Sequence, residues 1–117
     1  MRLSAARKAP DDRLDRVFHA LADRTRRALM ARLAAGPAIV TELARPFPMS
    51  LAAVSKHIRV LESAGLVARA VDGRIHRCSL APGPLREIED WLEFYHSFWA
   101  DTLDAVARYA ERGGRSR

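Results

Sequence analysis

Residues 50–80 read SLAAVSKHIRVLESAGLVARAVDGRIHRCSL, and the period of the apolar positions changes once within this stretch. Val54, Ile58 and Leu61 are spaced by 4 and 3 residues, which places them on one buried stripe of an α-helix. Ser50 stands where an N-cap hydroxyl accepts a bond from the first turn. Gly65 stands where a residue of positive φ closes a helix. The spacing therefore predicts a helix over 51–64. Beyond Gly65 the alternation drops to two. Leu66–Val71 and Ile75–Leu80 are predicted strands, and Asp72-Gly73 between them is a two-residue hairpin turn in which both positions favour positive φ.

Upstream, Leu14, Val17, Phe18 and Leu21 share one face of a helix predicted to begin at Asp11, with Asp11 and Asp12 at the positive end of its dipole. Asp23 is the predicted N-cap of a second helix, which buries Leu29 and Leu33 and ends at Gly36-Pro37. A short third helix fits residues 39–44, with Val40 and Leu43 inward, and Pro46 and Pro48 break it. Two helices so joined form a helix-turn-helix, and a hairpin directly after the second is a wing. After Pro82-Gly83-Pro84, apolar residues recur at helical spacing from Leu85 to Tyr109. The expected fold is mainly α with a β-hairpin wing: a winged helix-turn-helix with a long C-terminal dimerisation helix. The expected organisation is a flexible arm over 1–10, one domain over 11–112 and a basic tail over 113–117.

The chain has 117 residues, enough for one domain. Its formal charge of +6 favours a polyanionic partner, and the distribution says where. Residues 1–65 carry 12 Lys+Arg against 6 Asp+Glu, whereas residues 82–112 carry 3 against 7. A nucleic-acid face is expected in the first 80 residues. The first ten residues lack the apolar core of a secretory signal and no apolar run reaches membrane-spanning length, so a cytoplasmic location without membrane association is expected. The single cysteine, Cys78, allows no disulfide within the chain and no Cys-rich zinc module. There is no glycine-rich phosphate loop, HExxH or nucleophile–base arrangement, and no enzymatic activity is expected.

The stretches VFHALADRTRRALMARLA (17–34), TELA (41–44), MSLAAVSKHIRVLESAGLV (49–67) and DGRIHRCSL (72–80) resemble the ArsR/SmtB family of bacterial winged-helix repressors. The resemblance extends over residues 11–112. It implies a homodimeric repressor that releases DNA on a signal. Three departures bear on what is carried over. Arg24 follows Asp23 where many members have proline, Leu51-Ala52 replaces an early Gln-Pro in the recognition helix, and the metal-sensing motifs are missing. IVTELA (39–44) has no C-x-C pair, and the last helix has only His96 in place of paired Asp/His and His/Glu ligands. The chain looks like the subgroup without a known metal site, so neither metal nor cofactor is expected, and the inducer is unassigned.

The expected double-stranded DNA contacts are Ser50, Leu51, Ala52, Ser55, Lys56 and Arg59 on the second helix of the motif, whose N-terminal part reaches base edges in the major groove. Arg69, Arg74 and Arg77 on the wing, and Arg26 and Arg27 on the second helix of the chain, are expected on phosphates or the minor groove. His57 leans toward the packed face, as a structural histidine does, and Cys78 points inward. The expected dimer interface joins Leu14, Val17 and Phe18 to Trp91, Leu92, Tyr95, Phe98, Trp99, Leu103 and Val106 of the long helix, whose aromatic stripe is too large to leave in water. The alternative is a winged-helix module that binds a partner protein and no specific DNA. An Arg-rich wing favours DNA.

Overall fold

The computed structural model describes the backbone of residues 5–115 and the side chains of residues 11–113. The elements are α1 (Ala5–Leu21), α2 (Arg24–Ala34), β1 (Ala38–Ile39), α3 (Val40–Ala44), α4 (Leu51–Ser63), β2 (Val67–Asp72), β3 (Ile75–Leu80) and α5 (Leu85–Arg115). The chain divides into two units, one ending at Arg86 and the other beginning at Glu87. This is the winged helix-turn-helix read from the sequence: a mainly helical chain with an antiparallel hairpin and a long last helix.

In the first unit, α1 and α2 pack on each other and on α4, while α3 and the sheet close the other side. Leu29, Leu43, Val54, Ile58, Leu61, Leu66 and Cys78 are at most 1% exposed, and among the described residues no polar or charged side chain is buried with them. α3 has five residues, too few to hold a helix alone. Burial of Val40 and Leu43 keeps it in place.

Both predicted caps form. Asp23 accepts from the Arg26 N–H at 3.1 Å, and Ser50 Oγ accepts from the Ala53 N–H at 3.1 Å. α4 ends on Gly65 at φ +77°. There the Gly65 N–H donates to the Glu62 carbonyl and the Leu66 N–H to the Leu61 carbonyl, both at 2.9 Å. This is the paired-bond Schellman closure.

Four details differ from the sequence expectation. The hairpin loop is Gly73–Arg74, one residue later than Asp72-Gly73, because Asp72 pairs with Ile75 in the ladder. Of the two loop residues only Gly73 has positive φ, at +61°, and among the described residues none but glycine does. That is the sign pattern of a type II′ turn, which needs glycine at its first position alone. Second, β1 is a strand that periodicity cannot reveal at two residues. It adds to β3 through Ala38↔Cys78 and Ile39↔Arg77, giving the antiparallel order β1-β3-β2. Third, α1 starts at Ala5, so residues 5–10 of the expected arm are helical. A periodicity argument sees only turns with an apolar stripe. Residues 1–4 lie outside the described residues. Fourth, α5 continues through Gly113 and Gly114 to Arg115, inside the expected tail; residues 116–117 lie outside the description.

Two predictions follow from these contacts. The backbone N–H of Arg26 holds the Asp23 carboxyl below its ordinary pKa, aided by the neighbouring His57 and Arg26 side chains. A depressed carboxylate contributes stability above its unfolded pKa and loses it as pH falls through the folded one. Asp23→Ala should therefore cost about 1 kcal/mol at neutral pH, and the deficit should shrink below about pH 4. Thermal melts across pH check this, with Asp23→Asn retaining most of the stability. Burial pushes the Cys78 thiol up. It should resist a disulfide reagent in the folded protein and react at once on unfolding, as a native-against-denatured thiol titration would record.

Candidate nucleic-acid interface

The outward side of α4 follows from its inward one. With Val54, Ile58 and Leu61 fully buried, helical geometry turns Ala52, Lys56 and Arg59 to solvent, and all three are exposed. Leu51 is 50% exposed at the first turn, and Ser55 is half-buried beside it. Ser50 is exposed and its oxygen is engaged in the cap; its O–H still has a proton to donate. The expected contacts on this helix thus form one continuous surface.

The wing divides its arginines. Arg74 is the second residue of the hairpin loop and is exposed at the tip. Arg77 is exposed on β3 and alternates with buried Cys78, so it lies on the outer face of the sheet. Arg69 pairs with Cys78 across the ladder and shares its inner face. There it is bound to Glu62 of α4 at 2.7 Å. Lys56, Arg59, Arg74 and Arg77 make no such side-chain bond among the described residues. A cleft of ≈ 290 Å³ separates α4 and α3 from the hairpin, with Thr41, Leu51 and Ser55 on one wall and Arg74, Ile75 and His76 on the other. Thr41 and His76 are polar groups at this site that the sequence does not single out. The hairpin brings them there by folding back over α3.

Arg26 and Arg27 sit elsewhere. Arg26 donates from Nε to the Ala20 carbonyl at 2.7 Å and from Nη2 to the His19 carbonyl at 3.1 Å. Arg27 donates from Nη1 to the Leu21 carbonyl at 2.7 Å. Both guanidinium groups therefore close the C-terminus of α1, where carbonyls lack helical partners and the dipole favours a cation. The third bond of Arg26 reaches His57 Nδ1 at 3.1 Å, and that nitrogen lies 3.9 Å from Asp23. His57 has the structural setting expected of it, linking α4 to the start of α2.

Of the expected interface residues, Val17 is buried within the protomer at 1% exposure, Leu14 is half-buried and Phe18 is 36% exposed. In the second unit α5 carries Trp91, Tyr95, Phe98, Trp99, Leu103 and Val106 between 37% and 67% exposed, and Leu92 is half-buried. Phe94 at 76% and Tyr109 at 79% widen this apolar face beyond the expected set. Trp91 packs tilted and Phe94 edge-to-face against Tyr95, each with ring centroids 5.0 Å apart. Among the described residues no three His, Cys, Asp or Glu are grouped to hold a metal ion, and no helix is long and apolar enough to cross a membrane.

Known proteins share this arrangement. A helix-turn-helix domain model matches residues 21–70. The chain is 41% identical over 100 residues to the HTH-type transcriptional regulator Rv2034 of Mycobacterium tuberculosis, covering 86% of this chain and 91% of that protein. The crystal structure of the ArsR family transcriptional regulator RHA00566 superposes with a TM-score of 0.73 at 41% identity, over 77% of this chain and 93% of that one. The solution structure of a homodimeric winged helix-turn-helix DNA-binding domain from Mycobacterium bovis, a possible ArsR-family regulator, gives a TM-score of 0.64 at 26% identity, over 80% and 93%. Recognition helix, wing and likeness over most of the chain agree: this protein belongs to the ArsR family of winged helix-turn-helix transcriptional regulators, whose helix-turn-helix binds DNA.

Proposed function

We propose that the protein is a repressor that binds a two-fold symmetric operator as a homodimer, with α4 in the major groove and the wing tip on the flanking backbone. The observation that carries this reading is the division of the cations. Arg26, Arg27 and Arg69 bind within the protomer, while Lys56, Arg59 and Arg74 are left exposed on the two elements that such a fold offers to a duplex. Lys56 and Arg59 lie three residues apart, on adjacent turns of one face. Leu51 and Ala52 precede them, at the end of the helix that reaches base edges, and are suited to a thymine methyl.

The dimer rests on α5. Eight large aromatic or aliphatic residues from Trp91 to Tyr109 stay exposed on it, a face that a second copy covers at low cost. The M. bovis relative is described as homodimeric. Two-fold symmetry in the protein then demands half-sites about one helical turn apart, or a multiple of that. The protein-interaction alternative needs no arginine at the wing tip.

Two outcomes are expected. Arg59→Ala should cost about 1–3 kcal/mol of operator binding and relax preference at one base position, while Arg74→Ala should weaken binding evenly across sequences and lower the salt slope by about one. Gel shifts over a salt series on the DNA upstream of the gene measure both. Unchanged binding in the two variants favours the protein-interaction module. Trp99→Glu should convert the dimer to monomer in sedimentation and abolish full-operator binding, because one protomer spans one half-site. A well-folded wild-type monomer at micromolar concentration contradicts the proposal.

A further inference from the structure

The wing is fastened to the recognition helix by a single cluster of side chains. Arg69 on β2 donates to Oε1 of Glu62 on α4 from Nε at 3.1 Å and from Nη2 at 2.7 Å, and its Nη1 reaches Nδ1 of His76 on β3 at 3.1 Å. The Arg69 side chain is 16% exposed and that of Glu62 31%, so the pair is better shielded than an open surface bridge. Among the described residues, the two Arg69–Glu62 bonds are the only side-chain hydrogen bonds joining the hairpin to a helix, and the His76 bond ties Arg69 to the other strand. The rest of the hairpin has little to hold it near its tip. Val71 and Ile75 are 60% and 50% exposed, and β1 pairs only with Arg77 and Cys78, in the middle of β3. A two-stranded ribbon without further packing is marginal.

We propose that Glu62, Arg69 and His76 form a positioning cluster that sets the wing tip relative to α4, so that Arg74 and the α4 cations meet one duplex together. This rests on the reading of α4 and the wing as the DNA-binding elements. Arg69 then acts through the wing and not by touching DNA. The placement favours this: Glu62 follows Arg59 by three residues on α4, and His76 follows Arg74 by two on the hairpin. The cluster therefore joins the two exposed cations it positions.

The charge of Glu62 makes the test decisive in sign. A carboxylate near a DNA-binding face repels phosphate, so removing its charge alone tightens binding. If Glu62 instead masked Arg69 as a DNA contact, its neutralisation would tighten binding further. Loss of positioning weakens it. Glu62→Gln is expected to lower affinity for the operator about ten-fold, with little change in the thermal melt. Arg74→Ala is expected to cost about ten-fold in the wild type and less than about two-fold in the Glu62→Gln background, since a displaced wing has no contact left to lose. His76→Asn, which offers an amide oxygen in place of Nδ1, should bind as the wild type does; His76→Phe should follow Glu62→Gln and supplies the same cycle should that variant fold poorly. Wild-type or tighter binding by Glu62→Gln overturns the proposal, as does a double variant whose losses multiply. If Arg74→Ala binds normally in the wild-type background, the wing–DNA reading itself fails, a result distinct from multiplying losses.

Discussion

The reversal at Gly65 is the constraint on which the second half of the first unit depends. α4 must stop where Leu61 is still buried and the chain must turn back over the same core. The left-handed conformation of Gly65 allows both. The Leu66 N–H satisfies the Leu61 carbonyl, and both leucine side chains are wholly buried. One turn thus ends the helix, completes the core and launches β2. The Ala81 N–H then returns to the Leu66 carbonyl at 2.8 Å, so the base of the hairpin closes on the residue that began it. Recognition helix and wing share this corner and cannot be placed independently at their near ends.

The elements legible in the sequence were those with a periodic apolar face or a cap. Val54, Ile58 and Leu61 announce α4, and Asp23, Ser50 and Gly65 mark its ends and the start of α2. β1 was not legible because two residues show no period; only its partner strand makes it a strand. The hairpin loop was misplaced by one residue because Asp-Gly is a good type I′ pair, whereas the ladder register, set by Val67 opposite Leu80 at the base, leaves Gly73 and Arg74 as the loop. Local turn preference is weaker than the pairing of six residues on each strand.

The candidate site was legible by composition and only partly by residue. A sequence displays that an arginine is present, not which carbonyl or carboxylate lies within its reach. Arg26 and Ala20 are six residues apart across a helix break, and Arg69 and Glu62 are seven apart across the Gly65 reversal. Such partners become neighbours only after folding. The basic excess of the first 80 residues therefore overstates the charge offered to DNA, since several of those cations are used to close α1 and to hold the wing. Lys56, Arg59 and Arg74 stay exposed on α4 and at the hairpin tip, while Arg16, Arg24 and Arg45 are exposed on other elements.

The ladder between β2 and β3 has a consequence for how such a regulator can diverge. Its register is anchored at Val67 and Leu80, and its loop lies at the free end. Residues added in opposed pairs near Gly73 lengthen the ribbon while each side chain below keeps its face. A single added residue in one strand shifts the alternation above it and exchanges inward for outward positions; His76 and Arg77 would trade places. Lineages descended from this fold can thus explore wing reach in steps of one strand pair, about 3.4 Å each, with intermediate lengths admitted only where a bulge absorbs the odd residue.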